Sequence, residues 1–322
     1  MNPVITLIHQ GNTYEIPNSW YHLSPGQFQC LVESLLELFQ GKISPVMLRL
    51  RYICDMMHWK LDKFSRDEEL LADLLALAEQ VRFPLIIRYP DHEDILEGLS
   101  DKDYETCRRV DPFRNPLPIA AALQKVDYKY TADLNFFAQL LPEIKVGDQN
   151  YKGYTARIAH GALTCSLTAL QYIDAYTFIN NPDSQPLLAA ILYYPGTYSS
   201  EGSQRLADQF LTLPAKTLMA ITMNFQAICN FLFTKTEFSL LTKFQSQKSK
   251  RITTDSADAL YDLSADGLGN VEQVEQMNVL TYLRILRKKT IDAVRRLHAM
   301  DYGTAKIAEE LGLPINIIDA IL

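Results

Sequence analysis

Six histidines and five cysteines are the side chains that could do chemistry, and their spacing argues against most of it. His9, His22, His58, His92, His160 and His298 never fall three or four residues from one another. Patterns that bring two imidazoles onto one metal, such as HExxH or a C2H2 finger, are therefore missing. Asp55 and His58 stand at i, i+3, which would place two metal ligands on one helix face. The same spacing is also the ordinary one for a surface pair. The acidic runs Asp91-His92-Glu93-Asp94 and Asp101-Lys102-Asp103-Tyr104-Glu105 lack the spaced oxygens and central glycine of a calcium loop and read as a solvated acidic loop. Cys30, Cys54, Cys107, Cys165 and Cys229 are odd in number with no CxxC pair, so neither a disulfide framework nor a zinc site is expected, and reduced thiols suit an intracellular protein. Cys165 follows His160 by five residues. A thiol nucleophile needs its base beside it in space and a third group to orient that base. The stretch Ile158–Leu170 instead reads as buried helix, where a thiol packs as a small apolar group. GxSxG, Walker A and GxGxxG patterns are absent. We expect no enzyme, no cofactor and no metal.

The C-terminal stretch is more specific. Gly303-Thr304-Ala305-Lys306-Ile307-Ala308-Glu309-Glu310-Leu311-Gly312-Leu313-Pro314 resembles a helix-turn-helix, with Ala308 at a close helix crossing and Gly312 supplying a positive-φ turn. Upstream, Arg284, Arg287, Lys288, Lys289, Arg295 and Arg296 face only Asp292 within residues 284–296, a possible phosphate footprint. The helix that would read bases, Pro314–Leu322, holds Asn316 and Asp319 but no Arg or Lys, whereas base edges are read mainly by Arg, Lys, Asn and Gln. Ile315, Ile317, Ile318, Ile321 and Leu322 recur at helical spacing and suit docking into a partner's groove. Protein docking is the leading expectation for this unit and DNA binding the alternative.

These groups sit in a chain of 322 residues with 48% hydrophobic and 21% charged residues, a globular balance. Net charge is −7, which makes nucleic acid an unfavourable general partner. The first residues enter a strand pattern without the basic and apolar blocks of a secretory signal. The uncharged run Thr217–Thr234 contains Thr222, Asn224, Gln226 and Asn230 and suits a buried helix better than a membrane span. A soluble cytoplasmic protein is expected.

Alternation over Val4–His9 and Thr13–Ile16, across Gln10-Gly11-Asn12, predicts a hairpin. Ser24-Pro25-Gly26-Gln27 is a capping box that starts a helix bearing Phe28, Leu31, Leu35 and Leu38. Ser44-Pro45 starts a second helix reaching about Trp59, and Ser65-Arg66-Asp67-Glu68 caps a third. Leu85–Tyr89 and Val126–Tyr130 read as strands, with 91–118 as a loop-like boundary between them. Glu143–Val146 and Gln149–Lys152 predict another hairpin. Helices are expected over 167–180, 184–194, 201–211 and 215–233, then a polar linker over 245–270. One long helix over Val271–Met300, about 45 Å at 1.5 Å per residue, precedes short helices at 304–311 and 315–322. Leu23-Ser24-x-x-Gln27-Phe28 recurs as Leu167-Thr168-x-x-Gln171-Tyr172, the two cap residues lying 144 positions apart. Each copy follows a hairpin and precedes a proline-started helix, Pro45 onward and Pro186 onward. The expected fold is α+β and predominantly helical: two similar hairpin-plus-helices units over 1–95 and 119–244, then a helical unit over 271–322. Trp20, Tyr21, Phe28 and Tyr172 are expected in the packing of those units.

The run GNTYEIPNSWYHLSPGQF, followed by YKGYTARIAHGALTCSLTALQYIDAYTFI, LLAAILYYPG and LPAKTLMAITMNFQAICNFL, resembles uncharacterised proteins of phage-derived, tail-module gene clusters in Bacteroidetes, over residues 4–60 and 140–300. Residues 304–322 fall outside that pattern. The resemblance implies an assembly factor, or a chaperone for the long tape-measure helix, with tail or tape-measure components as partners.

Overall fold

The computed structural model describes residues 3–9, 11–60, 68–241 and 258–322. It divides into two compact units, Met1–Leu134 and Asn135–Leu322. Helices hold 55% of residues and strands 13%, so the fold is predominantly helical α+β.

In the first unit β1 (Val4–His9) and β2 (Asn12–Pro17) pair antiparallel from Val4↔Pro17 to His9↔Asn12. A lone hairpin is marginal in water; this one buries Ile5 and Ile16, and the Tyr52 hydroxyl donates to the Pro17 carbonyl at 2.6 Å. A 3-10 turn at Trp20–His22 leads into α1 (Pro25–Phe39). The capping box at its start is complete: Ser24 accepts the Gln27 N–H, and Gln27 accepts the Ser24 N–H at 2.8 Å. Trp20 and Phe28 are buried as expected, whereas Tyr21 lies exposed. Next come α2 (Pro45–Met56), capped by Ser44, and α3 (Glu68–Ala78). The Ser65 capping box and Gln10 lie outside the described residues.

β3 (Leu85–Arg88) pairs with β4 (Lys129–Ala132), register Leu85↔Ala132 to Arg88↔Lys129. Between them lie a 3-10 turn at Glu93–Leu96, α4 (Asp101–Arg109) and α5 (Ala120–Leu123). The loop-like boundary read at 91–118 is corrected by this pairing. Ser100 caps α4, and Asp101 and Asp103 fall in the helix's first turn with Arg108 and Arg109 in its last, an arrangement the helix dipole favours. Ile87, Tyr89, Leu96, Cys107 and Leu123 form one buried cluster. Asp133 ties the end back, its carbonyl accepting from Trp20 Nε1 at 2.9 Å and its carboxylate from Arg109 at 2.6 Å. The chain thus completes its first unit at Leu134 rather than at 95.

The second unit opens with residues 135–142, which belong to no helix or strand. There follow β5 (Glu143–Val146) with β6 (Gln149–Lys152), and β7 (Ala156–Ala159) with β8 (Ala162–Cys165). The second of these hairpins replaces the helix expected over Ile158–Leu170. His160 and Gly161 take φ of 51° and 75°, and two successive positive-φ residues make the tight turn that matches strand twist. Then come α6 (Ala169–Phe178), α7 (Gln185–Leu192), α8 (Ser200–Phe210) and α9 (Ala215–Lys235). By length and composition α9 could cross a membrane, and 61% of its apolar window is buried in the protein.

A 3-10 turn at Glu237–Leu241 precedes the undescribed stretch, after which α10 (Asp258–Ala265) and α11 (Val271–Glu275) appear. The linker expected over 245–270 thus contains a helix from 258, its earlier part lying outside the described residues. α12 (Val279–Ala299), α13 (Thr304–Leu311) and α14 (Ile315–Ile321) finish the chain. The long helix over 271–300 is broken at 276–278. There the backbone leaves the helix to meet residues 165–169: Ala169 N–H donates to Met277 O at 2.7 Å, Val279 N–H to Leu167 O at 3.0 Å, and the Asn278 side chain to Cys165 O at 2.6 Å. Asn278 then caps α12, which spans 21 residues, about 32 Å. The C-terminal helices belong to the second unit.

The element order of hairpin, L-[ST]-x-x-Q cap, helix and second helix recurs, with β7–β8 inserted in the second copy. Its cap is half a box. Thr168 accepts from Gln171 N–H, but the Gln171 amide donates instead to Ile191 O on α7 at 2.7 Å.

Asn224, on buried α9, holds residues 138–140 with both ends of its amide, accepting Leu140 N–H at 2.8 Å and donating to Ala138 O at 2.7 Å. Asn224→Ala strands one buried donor and one buried acceptor. It should therefore lower unfolding stability by about 2–4 kcal/mol, while Thr222→Ala, whose hydroxyl only back-bonds Leu218 O, should cost less than about 1 kcal/mol. Urea titration of both variants checks the difference.

Candidate functional site

The last three helices share a small core of Val294, Ile307, Leu313, Ile318 and Ile321, with Ile291, Leu297, Tyr302 and Ile317 around it. Gly312 ends α13 at φ 63°, a left-handed cap that glycine takes without a Cβ clash, and Ala308 packs against this core. The sequence-predicted docking residues divide in two. Ile318 and Ile321 are buried in the core and Ile317 is half-buried, so these three do not form an open face. Ile315 and Leu322 remain 50% and 48% exposed. Seven positions apart on a 3.6-residue helix, they share one side, with Asp319 between them.

The basic residues of α12 divide as well. Arg287 pairs with Glu237 at 3.5 Å and Lys289 with Asp266. Arg284, Lys288, Arg295 and Arg296 are exposed and make no ion pair with another described residue. At 100° per residue, Arg284, Lys288 and Arg295 line one face, while Arg296 lies round the helix from them.

The β7–β8 hairpin separates the two side chains whose types suit nucleophilic chemistry. His160 sits at the turn and Cys165 at the far end of β8, opposite Ala156. Burial pushes the Cys165 thiol up to about 11, its largest cause, against backbone N–H donors of Leu167 and Ser166 that pull it down. Asp55 and His58 do not share a helix face either, because α2 ends at Met56 and His58 takes φ 56° beyond it. Among the described residues no group of three or more His, Cys, Asp or Glu is placed to hold a metal ion.

Sequence reasoning missed a cavity of about 420 Å³ in the first unit. Arg49 of α2, Arg82, Arg109 of α4 and Arg114 converge on it, with Tyr128 and Tyr130 and the carboxylates of Glu79 and Asp111. Arg109 is held by Asp133 and Glu105, Arg114 by Glu79, and Arg82 donates to the Glu79 carbonyl. Asp111 accepts from Tyr130 OH at 2.7 Å and Phe113 N–H at 3.0 Å. Arg49 is 8% exposed, and its Nε and Nη2 are buried with no hydrogen-bond partner. The one signal in the sequence is an arginine among the inward positions Leu48, Tyr52 and Ile53 of an apolar helix. The other three lie on separate elements at spacings that form no motif.

No protein-family model, curated protein or solved structure matches the chain.

Cys30 is exposed whereas Cys54, Cys107, Cys165 and Cys229 are buried. Alkylation of the folded protein at neutral pH, followed by peptide mass spectrometry, should modify Cys30 first and leave Cys165 untouched until the chain unfolds. Labelling of native Cys165 as fast as Cys30 would contradict its burial and raised pKa.

Proposed function

We propose that the chain is a non-enzymatic, cytoplasmic assembly or adaptor protein that binds a protein partner through its C-terminal three-helix unit. The observation that supports this is the division of α14. Two isoleucines are committed to a core shared with α12 and α13, which holds the short helix in place, while Ile315 and Leu322 face outward beside one carboxylate. A rigid short helix presenting apolar anchors is a helix-in-groove ligand, and anchors already held in place lose little entropy on binding. The resemblance to tail-module proteins names the partner class, a tail or tape-measure component with an apolar groove. Co-expression of the tagged chain with the tail proteins of its own gene cluster tests this. A defined tail protein should co-purify and be lost from the Ile315→Glu/Leu322→Glu variant, whose circular dichroism stays unchanged. A chain that elutes alone, or a complex indifferent to the double variant, sinks the reading.

A second reading, DNA binding, is favoured by the face of Arg284, Lys288 and Arg295, cations without ion pairs among the described residues. Three phosphate contacts give a log–log salt slope of about −2.7. On this reading a duplex shifts in a gel at low salt, and Arg284→Glu/Lys288→Glu abolishes the shift. An absent shift at low ionic strength ends it.

A further inference from the structure

The cavity of the first unit has no place in the docking reading, and its chemistry stands independently of that reading. We infer that this cavity is a binding site for a zwitterionic amino acid with a large apolar side chain, its ammonium on Asp111 and its carboxylate on Arg82.

Asp111 and Arg82 both line the cavity, yet they form no ion pair with each other or with another described residue. Each is anchored elsewhere. Arg82 Nε donates to the Glu79 carbonyl at 3.1 Å, and the Arg82 carbonyl accepts from Arg109 at 3.3 Å. Asp111 Oδ1 accepts the Phe113 N–H at 3.0 Å and its Oδ2 the Tyr130 hydroxyl at 2.7 Å. Burial, joined by Asp111, raises the pKa of Tyr130, so its hydroxyl stays a donor that holds the carboxylate in place. These anchors keep two opposite charges apart on one cavity. A carboxylate oxygen accepts more than one hydrogen bond, so each Asp111 oxygen retains an acceptor position. The Nη groups of Arg82 are further donors with no acceptor among the described residues. Unlike Nε and Nη2 of Arg49, which are shut inside the protein, they belong to a half-buried side chain and are not closed off.

The charges select the ligand. Arg114 is ion-paired with Glu79, and Arg109 with Glu105 and Asp133, so neither answers Asp111. A ligand with only a carboxylate would leave Asp111 without a cation and be repelled by it. A ligand with only an ammonium would leave Arg82 open and face the permanent charge of Arg49 as well. A zwitterion meets both exposed groups with charge-assisted hydrogen bonds. Volume then sets the body of the ligand. About 420 Å³ lies within the range of small-molecule sites and leaves room beyond an ammonium and a carboxylate. Val46, Leu75 and Val110, with Tyr128, supply apolar and ring surface for a large side chain.

The test uses the full chain at neutral pH with L-phenylalanine as probe, read by titration calorimetry and thermal shift. N-acetyl-L-phenylalanine lacks the ammonium, L-phenylalaninamide lacks the carboxylate, and glycine lacks the apolar body. Phenylalanine should bind, raise Tm and exceed each of the three controls at least ~10-fold in affinity. Asp111→Asn should bring phenylalanine down to the level of the acetylated control, and Arg82→Gln down to that of the amide, each leaving the other discrimination intact. A residue that only shaped the cavity would weaken all ligands alike, so this pattern separates binding from a structural role. The Arg82 variant and the three controls on the parent chain carry the test should Asp111→Asn fail to fold. The proposal falls if millimolar phenylalanine gives neither heat nor a Tm shift, or if any control binds as well. It falls equally if a folded variant keeps the parent's discrimination or weakens every ligand by the same factor.

Discussion

Residues 135–142 enter the second unit with Phe136, Phe137, Leu140 and Leu141 buried but without a helix or strand to satisfy their backbone. Buried amides must find partners, and this constraint decides what surrounds the segment. Asn224 supplies a donor and an acceptor from the middle of an apolar helix, the Tyr193 hydroxyl donates to Leu141 O at 2.6 Å, and Gly153 N–H donates to Pro142 O at 2.9 Å. The amide of Asn224 explains why the long apolar helix α9 contains a polar residue that is 1% exposed. It also fixes the rotation of α9, since turning the helix by one residue would withdraw both bonds.

The same solution recurs wherever a short hairpin meets a helix. Each of the four sheets among the described residues has two strands, so every strand is an edge and much of its hydrogen-bonding capacity faces away from its partner. Side chains meet that need at the junctions: Tyr52 of α2 at Pro17, Trp20 at Asp133 and Asn278 at Cys165, while Tyr89, just past β3, donates in the opposite sense to Cys107 O of α4. Tyrosine suits such positions because its ring packs like a hydrophobic residue while its hydroxyl reaches a carbonyl. Burial raises the pKa of Tyr52, Tyr89 and Tyr193, which keeps these hydroxyls protonated as donors.

Features set by neighbouring residues were legible in the sequence. The Ser24 and Ser44 caps, the β1–β2 and β5–β6 hairpins and the Gly312 turn each depend on a few adjacent side chains. Features set from a distance were not. β3 finds β4 across an intervening helical stretch, so the acidic run between them has the composition of a linker. Residues 271–300 have continuous helical periodicity, and the break at 276–278 is imposed by Leu167 and Ala169, more than a hundred positions earlier. Residues 158–170 read as helix because His160-Gly161 serves as a tight turn where Asn-Gly would have announced one. The arginine cavity is the extreme case. Its four cations come from four places, and only Arg49, at a position where helix α2 should be apolar, breaks a local rule. Such breaks are where function and folding pull apart.

The two L-[ST]-x-x-Q segments show how far a shared local code constrains tertiary structure. In both, a hydroxyl caps the third helical N–H, and the aromatic that follows is buried, Phe28 in one and Tyr172 in the other. The glutamine is free to differ. Gln27 closes on its own cap and leaves α1 self-contained; Gln171 crosses to the C-terminal end of α7 and adds its amide to the Ile191 carbonyl, which also accepts the Tyr194 N–H at 3.4 Å. The cap N–H that Gln171 gives up lies beside the bridge between Thr168 and Asn278, where the chain pairs as a strand would. One local sequence thus begins two helices, and the choice between closing the cap and bracing the next helix is made by whether another stretch of backbone arrives to meet it.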